Sequence, residues 1–185
     1  MGLESMPREF WWVTCLVLVP GVLWASWIDY RERRVPNWLN ASIAVAGFAA
    51  QAWFAGWAGL GVGALGLLVG FAVLIVPWLM HGMGAGDVKL MMAIGVWFGP
   101  WFAFIAFCVG AVIGGVIAVT MILSTGRTWQ AYANLTTIMD KVSNRSTVFS
   151  EYGSAKSFGD TSQLLPYGVP LTIGTLIVFF GQSWF

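Results

Sequence analysis

Leu60-Gly-Val-Gly-Ala-Leu-Gly-Leu-Leu-Val-Gly-Phe-Ala-Val-Leu-Ile-Val-Pro-Trp-Leu-Met80 runs for 21 residues without a charge. Wound as an α-helix rising about 1.5 Å per residue, it covers about 30 Å, the thickness of a bilayer's hydrocarbon core. A helix also satisfies its own backbone polar groups, which a segment surrounded by lipid must do. The run therefore reads as a transmembrane helix. Outward from it, breakers divide the chain into five more candidates: Trp11 to Ile28, Trp38 to Ala55, Val88 to Phe98, Trp101 to Leu123 and Leu164 to Phe180. Composition points the same way, since 58% of the 185 residues are hydrophobic and 9% charged, where about 25% charged is usual in a soluble domain. The expected fold is an all-α polytopic membrane protein of six transmembrane helices, forming one domain over residues 1–185.

The 9 basic and 8 acidic residues leave a net charge of +1, far from the basic footprint that phosphate contacts demand, so nucleic acid is excluded as a partner. Eight basic residues (Arg31, Arg33, Arg34, Lys89, Arg127, Lys141, Arg145 and Lys156) fall in the connections after the first, third and fifth spans, with Arg8 on the other side. The positive-inside bias makes their side cytoplasmic and puts both termini outside. A cleaved signal peptide is a rival reading of the first run. Met1 to Phe10 carries Glu4, Arg8 and Glu9 in place of a positive leader, however, and the segment is read as a retained helix. Tryptophans divide between an outer group (Trp11, Trp12, Trp53, Trp57, Trp97, Trp101, Trp184) and an inner group (Trp24, Trp27, Trp38, Trp78, Trp129), as interfacial anchors do. Cys15 and Cys108 each lie in an apolar run and read as buried, inert thiols. The glycines in and before the third span (Gly59, Gly61, Gly63, Gly66, Gly70) and in the fifth span (Gly110, Gly114, Gly115) are expected to let helices approach closely, at spacings such as Gly59 with Gly63 and Gly66 with Gly70.

The polar stretch Ser124 to Gln163 is expected as a cytoplasmic loop before the last helix. Trp129, Tyr132, Leu135, Met139 and Val142 fall at helical spacing in it, which allows a surface-lying helix. The fourth span is short: its 11 residues reach only roughly 16 Å. Either its helix begins upstream of Val88 or its start lies below the membrane surface.

Two aspartates stand at span ends on the expected cytoplasmic face, where burying a carboxylate is costly. Asp29 closes the first span and Asp87 opens the fourth. Taken singly, Asp29 reads as a loop carboxylate neutralised by Arg31 and Arg33, and Asp87 as an N-cap or first-turn acid favoured by the helix dipole. Two features favour reading them as a pair: the short fourth span, and the glycines at 82, 84 and 86. Gly84 and Gly86 beside Asp87 would permit positive φ and the close approach of another backbone, suiting an extended peptide substrate. Lys89 reads first as a snorkelling anchor and second as a group tuning the acids. His81 is the only histidine and reads as a solvated interfacial residue, while neither HExxH nor CxxC occurs. Neither a metal nor a cofactor is expected.

Gly84-Ala-Gly86-Asp87, continuing as Val-Lys89-Leu90, resembles the GxGD motif of the type IV prepilin leader peptidases, polytopic membrane aspartic proteases. Asp29, followed by Arg31 and by Val35-Pro36-Asn37, resembles that family's first catalytic segment. Pro166-Tyr167-Gly168 with Pro170 resembles its late Pro-Tyr/Phe-Gly-Pro element, with Val169 inserted. The three segments in order over six spans carry the resemblance. It implies Asp29 and Asp87 as the catalytic acids, and Gly84, Gly86 and Lys89 as residues of substrate binding and loop geometry. The implied substrate is a pilin-like precursor whose short basic leader is cut off at the cytoplasmic face of a bacterial inner membrane. Some members carry a four-cysteine insertion and methylate the new amino terminus. The short Asp29 to Asn37 connection and the absence of CxxC imply that this activity is missing, as in the compact peptidases of tight-adherence (Flp) pilus systems. The alternatives are an archaeal-type preflagellin peptidase, a proton- or cation-coupled transporter using the same acids, and a noncatalytic assembly factor. Oligomeric state is left open.

Overall fold

The computed structural model describes residues 7–32, 34–79, 83–125 and 167–182. Four helices account for nearly all of them: α1 (Arg8–Glu32), α2 (Asn37–Leu79), α3 (Ala85–Thr125) and α4 (Gly168–Gln182). The polar stretch from Ser124 to Gln163, with its candidate surface helix, lies outside the described residues beyond the end of α3, as do His81 and Gly82. Three of the helices are long and apolar enough to cross a membrane, and α4 is a shorter apolar helix. Exposed Trp12, Leu16, Trp53, Trp57, Leu68 and Val116 give the exterior an apolar surface that lipid, not water, accommodates. This is a helical membrane protein.

At 43 and 41 residues, α2 and α3 would each measure roughly 60–65 Å if straight, twice a bilayer core. Neither is straight. Gly56 (φ 58°) interrupts α2 and Gly99 (φ 72°) interrupts α3. Left-handed φ is a conformation a Cβ disfavours, and both breaks fall between runs that the sequence separates, 38–55 from 60–80 and 88–98 from 101–123. Pro100 follows the second break. Its fixed φ and missing N–H suit the first turn of a new helical limb.

Residues Met1–Gly114 and Leu165–Phe185 form one compact unit. Within it the limbs alternate in direction. Gly59 packs on Gln51 and Gly63 on Phe48, so limb 57–79 doubles back along 37–55. Gly66 faces the Gly95 backbone and Gly70 that of Met91, which sets 85–98 antiparallel to 57–79. Phe10 meets Phe54 (ring centroids 5.7 Å) and Trp24 meets Trp38 (5.9 Å), placing α1 against 37–55. Trp11 meets Phe179 (5.3 Å) and Thr172 Oγ1 donates to the Val22 carbonyl (3.2 Å), placing α4 against α1. Gly110 against Pro170 and Gly174 against Ala106 complete the set. The beginning of α1 and the end of α4 thus share one end of the unit. The second unit, Gly115–Leu164, is described only through the end of α3, where Thr120 Oγ1 donates to the Val116 carbonyl at 2.8 Å.

Limb 85–98 is the centre. Leu90, Met91, Ala93, Ile94, Val96, Trp97 and Phe98 are all essentially inaccessible, as in a helix that is apolar all round and enclosed by others. Its helix begins at Ala85, upstream of Val88, which lengthens the limb but leaves it, at roughly 21 Å, short of a bilayer core. Trp97 corrects the expectation of an interfacial anchor: it is 0% exposed and its Nε1 donates to the Ile43 carbonyl at 2.9 Å. Gly47 leaves room for the ring, since a Cβ there would come within 2.8 Å of Nε1. Gln51 Nε2 donates to the Val96 and Trp97 carbonyls (3.1 and 3.4 Å). Pro100 has no N–H to offer Val96, and the break at Gly99 disrupts the regular helical partner of Trp97, so a buried amide from another limb serves both. The cysteines also differ from expectation, Cys15 being half-buried and Cys108 exposed on the apolar surface. Of the small residues, Gly61 and Gly115 face open space and take no part in close packing.

Candidate active site

The inward face of α1 repeats Phe10, Thr14, Leu18, Val22, Ala25 and Asp29, each three or four residues after the last, the spacing of one helical face. The stripe is apolar until its final rung, which is a carboxylate only 4% exposed. Of the two basic residues expected to neutralise it, Arg31 lies over the Trp27 ring (5.1 Å to its centroid); nearby, Arg34 pairs with Glu32 at 3.7 Å. Arg33 lies outside the described residues. Asp29 Oδ2 accepts the backbone N–H of Gly168 at 2.9 Å. Gly168 is the first residue of α4, whose unsatisfied N–H groups and dipole favour an anion. A Cβ on Gly168 would sit 2.7 Å from Oδ2. The helix start can come this close because residue 168 has no side chain.

Asp87 stands in the first turn of α3, its N–H bonded to the Gly84 carbonyl at 3.2 Å. Its side chain is 5% exposed, and Oδ1 is buried without a hydrogen-bond partner. Asp29 is within electrostatic reach of Asp87, and Asp87 in turn of Tyr167. Two acids 58 positions apart in the chain are therefore brought within electrostatic reach of each other at the end of the unit opposite Gly56 and Gly99.

The glycines beside Asp87 act differently from expectation. Among the described residues only Gly56 and Gly99 have positive φ, so Gly84 and Gly86 do not supply that conformation. The close approach does occur at Gly86, but to the protein's own backbone: a Cβ there would come within 3.0 Å of Val35 N and 3.1 Å of Val35 O. Asn40 Nδ2 donates to the Gly86 carbonyl at 3.0 Å. Gly84 is exposed, with room for a Cβ at 3.4 Å from Asp87 Oδ2. Lys89, also exposed, donates through Nζ to Asn37 Oδ1 at 2.8 Å, tying the start of α2 to the start of α3.

The sequence does not mark Gly168, Asn40 or Val35 as neighbours of the acids. Gly168 and Val35 stand inside the quoted motifs, which is the one signal that could have drawn attention to them, whereas Asn40 has none. Chemically, the arrangement offers a carboxylate held by a backbone amide and a second carboxyl with an unsatisfied oxygen, both largely withdrawn from solvent. Such a pair can take a proton from water and give one to a substrate atom, the work of general acid–base catalysis.

A family model described as the type IV leader peptidase family matches residues 16–119, more than half of the chain. The matched stretch contains Asp29, Val35, Asn40 and Asp87 and ends before Gly168. No curated protein and no solved structure matches the chain.

Proposed function

The chain belongs to the type IV leader peptidase family, and from that premise we propose that it is an aspartic endopeptidase that removes the short basic leader of pilin-like precursors, with Asp29 and Asp87 as its acid pair. The observation that carries this reading is that two buried carboxyls from different helices lie within electrostatic reach of each other, one of them with an oxygen that no described group satisfies. Burying a charged or polar group without a partner is expensive. A reacting water and a scissile carbonyl are the partners such a site is built to receive.

In the proposed reaction one carboxylate takes a proton from water as its oxygen attacks the scissile carbonyl carbon. The other carboxyl, protonated at the outset, gives its proton to the carbonyl oxygen. The tetrahedral intermediate then collapses as the C–N bond breaks. The leaving nitrogen gains the proton taken from water, and the proton lent to the oxygen returns to its carboxyl. Gly168 holds the Asp29 carboxyl in register through its N–H, and Gly84, Gly86 and Lys89 shape the turn that carries Asp87.

Six passes with both termini outside put the acids at the cytoplasmic face of a bacterial inner membrane, because eight of the nine basic residues then lie inside. A precursor with its basic leader in the cytoplasm and its apolar helix in the bilayer presents its junction at that level. The compact connection between Asp29 and Asn37, without CxxC, supports peptidase activity of the short, Flp-pilus type and no N-methyltransferase.

The test is coexpression with a pilin-like precursor, followed by intact mass measurement. Cleavage is expected at the leader junction with no added methyl group. Asp29→Asn and Asp87→Asn are each expected to abolish it while the protein still inserts. Full cleavage by either variant removes that acid from the mechanism.

A further inference from the structure

The first turn of α2 grips the first turn of α3 at two points. Asn40 Nδ2 donates to the Gly86 carbonyl at 3.0 Å, and Asn37 Oδ1 accepts from Lys89 Nζ at 2.8 Å. Positions 37 and 40 lie on one face of α2, as 86 and 89 do on α3, so the two bonds form an antiparallel pair about one helical turn apart. Asp87 lies between the two gripped residues. The carbonyl that Asn40 holds belongs to the same planar peptide unit as the N–H of Asp87, which itself donates to Gly84 at 3.2 Å. Both polar ends of that unit are therefore pinned, and the Val35 backbone closes its flank at Gly86.

Asparagine is a poor choice at position 40 for stability alone. It is 3% exposed, it stands in the first turn of an apolar helix, and its Oδ1 is buried without a partner. A leucine shares the branched outline and would withdraw no amide from water. Resting on the reading of Asp87 as one of the acid pair, we infer that Asn40 is a positioning residue: by holding the Gly86–Asp87 peptide unit it fixes the direction in which Asp87 presents its carboxyl toward Asp29.

The experiment uses the full chain in detergent and a precursor peptide spanning the leader junction. Asn40→Leu removes the donor and is expected to lower kcat about 30-fold while KM stays within about two-fold, because misplacement of an acid by a fraction of an ångström acts on the chemical step. Asn40→Asp keeps the shape but donates to Gly86 only when protonated. Its kcat, taken as a ratio to the parent at each pH, is expected to rise on acidification. Asp29, Asp87, Lys89 and Tyr167, the ionisable groups of the elements that come together here, are common to both proteins, so the parent profile is recorded over the same pH range. A folded Asn40→Leu variant with parental kcat, or with its loss in KM alone, overturns the assignment. If that variant does not fold, a flat ratio for Asn40→Asp across pH overturns it equally. Asp87→Asn is run alongside. If it still cleaves, the acid-pair reading fails and the role of Asn40 falls with it; if it is inactive while Asn40→Leu is unimpaired, only the positioning role is lost.

Discussion

Gly168→Ala tests the site where it is tightest. The added Cβ would lie 2.7 Å from Asp29 Oδ2 and 3.1 Å from both Cβ and Cγ of the same side chain. Carbon contacts settle at about 3.5–4.0 Å, so the two groups must separate by roughly 0.5–1 Å. Rotating the carboxyl moves Oδ2 alone and leaves the other two contacts tight. Either the whole Asp29 side chain or the start of α4 has to shift, and each movement stretches the 2.9 Å hydrogen bond between them. A displacement of that size at a reacting group costs on the order of 100-fold in rate. Overpacking of a fitted interior costs about 1–3 kcal/mol in stability, which leaves a folded protein to assay. Precursor cleavage by purified protein in detergent is expected to fall about 30- to 100-fold in kcat, with Tm lowered by a few degrees. Gly181→Ala is the control, since it lies in the same helix with nothing within 4 Å of its would-be Cβ, and parental activity is expected. Gly168→Ala cleaving within about three-fold of the parent while folded refutes the claim that this contact sets the position of Asp29.

Thermal unfolding in detergent checks three further expectations. Gly56→Ala and Gly99→Ala should each lose about 1–3 kcal/mol, since both hold a positive-φ, extended-ψ conformation essentially confined to glycine. Gly99→Ala should lose more, because its Cβ would meet Val62 Cγ1 at 2.8 Å while that of Gly56 meets nothing within 4 Å; the reverse order contradicts the geometry. Gly66→Ala should destabilise by about 2–3 kcal/mol by driving a methyl into the Gly95 backbone. Gly61→Ala in the same limb, facing open space, should gain up to about 1 kcal/mol from helix propensity, and equal effects at the two positions count against the packing. Gln51→Leu strands the Val96 and Trp97 carbonyls but also removes an unpaired Oε1, for a net loss of about 1–2 kcal/mol. A more stable variant shows that those carbonyls find other partners.

The ends of the apolar runs are legible because charge, proline and glycine punctuate them, and the structure breaks α2 and α3 between the runs the sequence separates. What faces inward is harder to read. In a soluble protein polar residues mark the outside of a helix, but here lipid-facing and core-facing positions are both apolar, so the enclosure of limb 85–98 and the burial of Trp97 leave no compositional trace. The glycines divide for the same reason: Gly66 and Gly61 look alike as letters, and only the neighbouring backbone tells them apart. The acids stand out because a carboxylate at a span end is costly and therefore informative. Their supports do not, since the bonds from Asn40 to Gly86 and from Gly168 to Asp29 join residues 46 and 139 positions apart.

The enclosure of limb 85–98 also bears on how the protein is made. With 14 residues, two of them Asp87 and Lys89, this limb offers only roughly 21 Å of helix and a weak signal for independent partitioning from a translocation channel. Its favourable surroundings are supplied by later and earlier parts of the same polypeptide, so it is best delivered as half of a hairpin with the segment beyond Gly99. Biogenesis and the proposed catalysis then share a requirement: the helix bearing Asp87 settles only once its neighbours have been synthesised, and a nascent chain stalled before that point has not yet brought the two acids together.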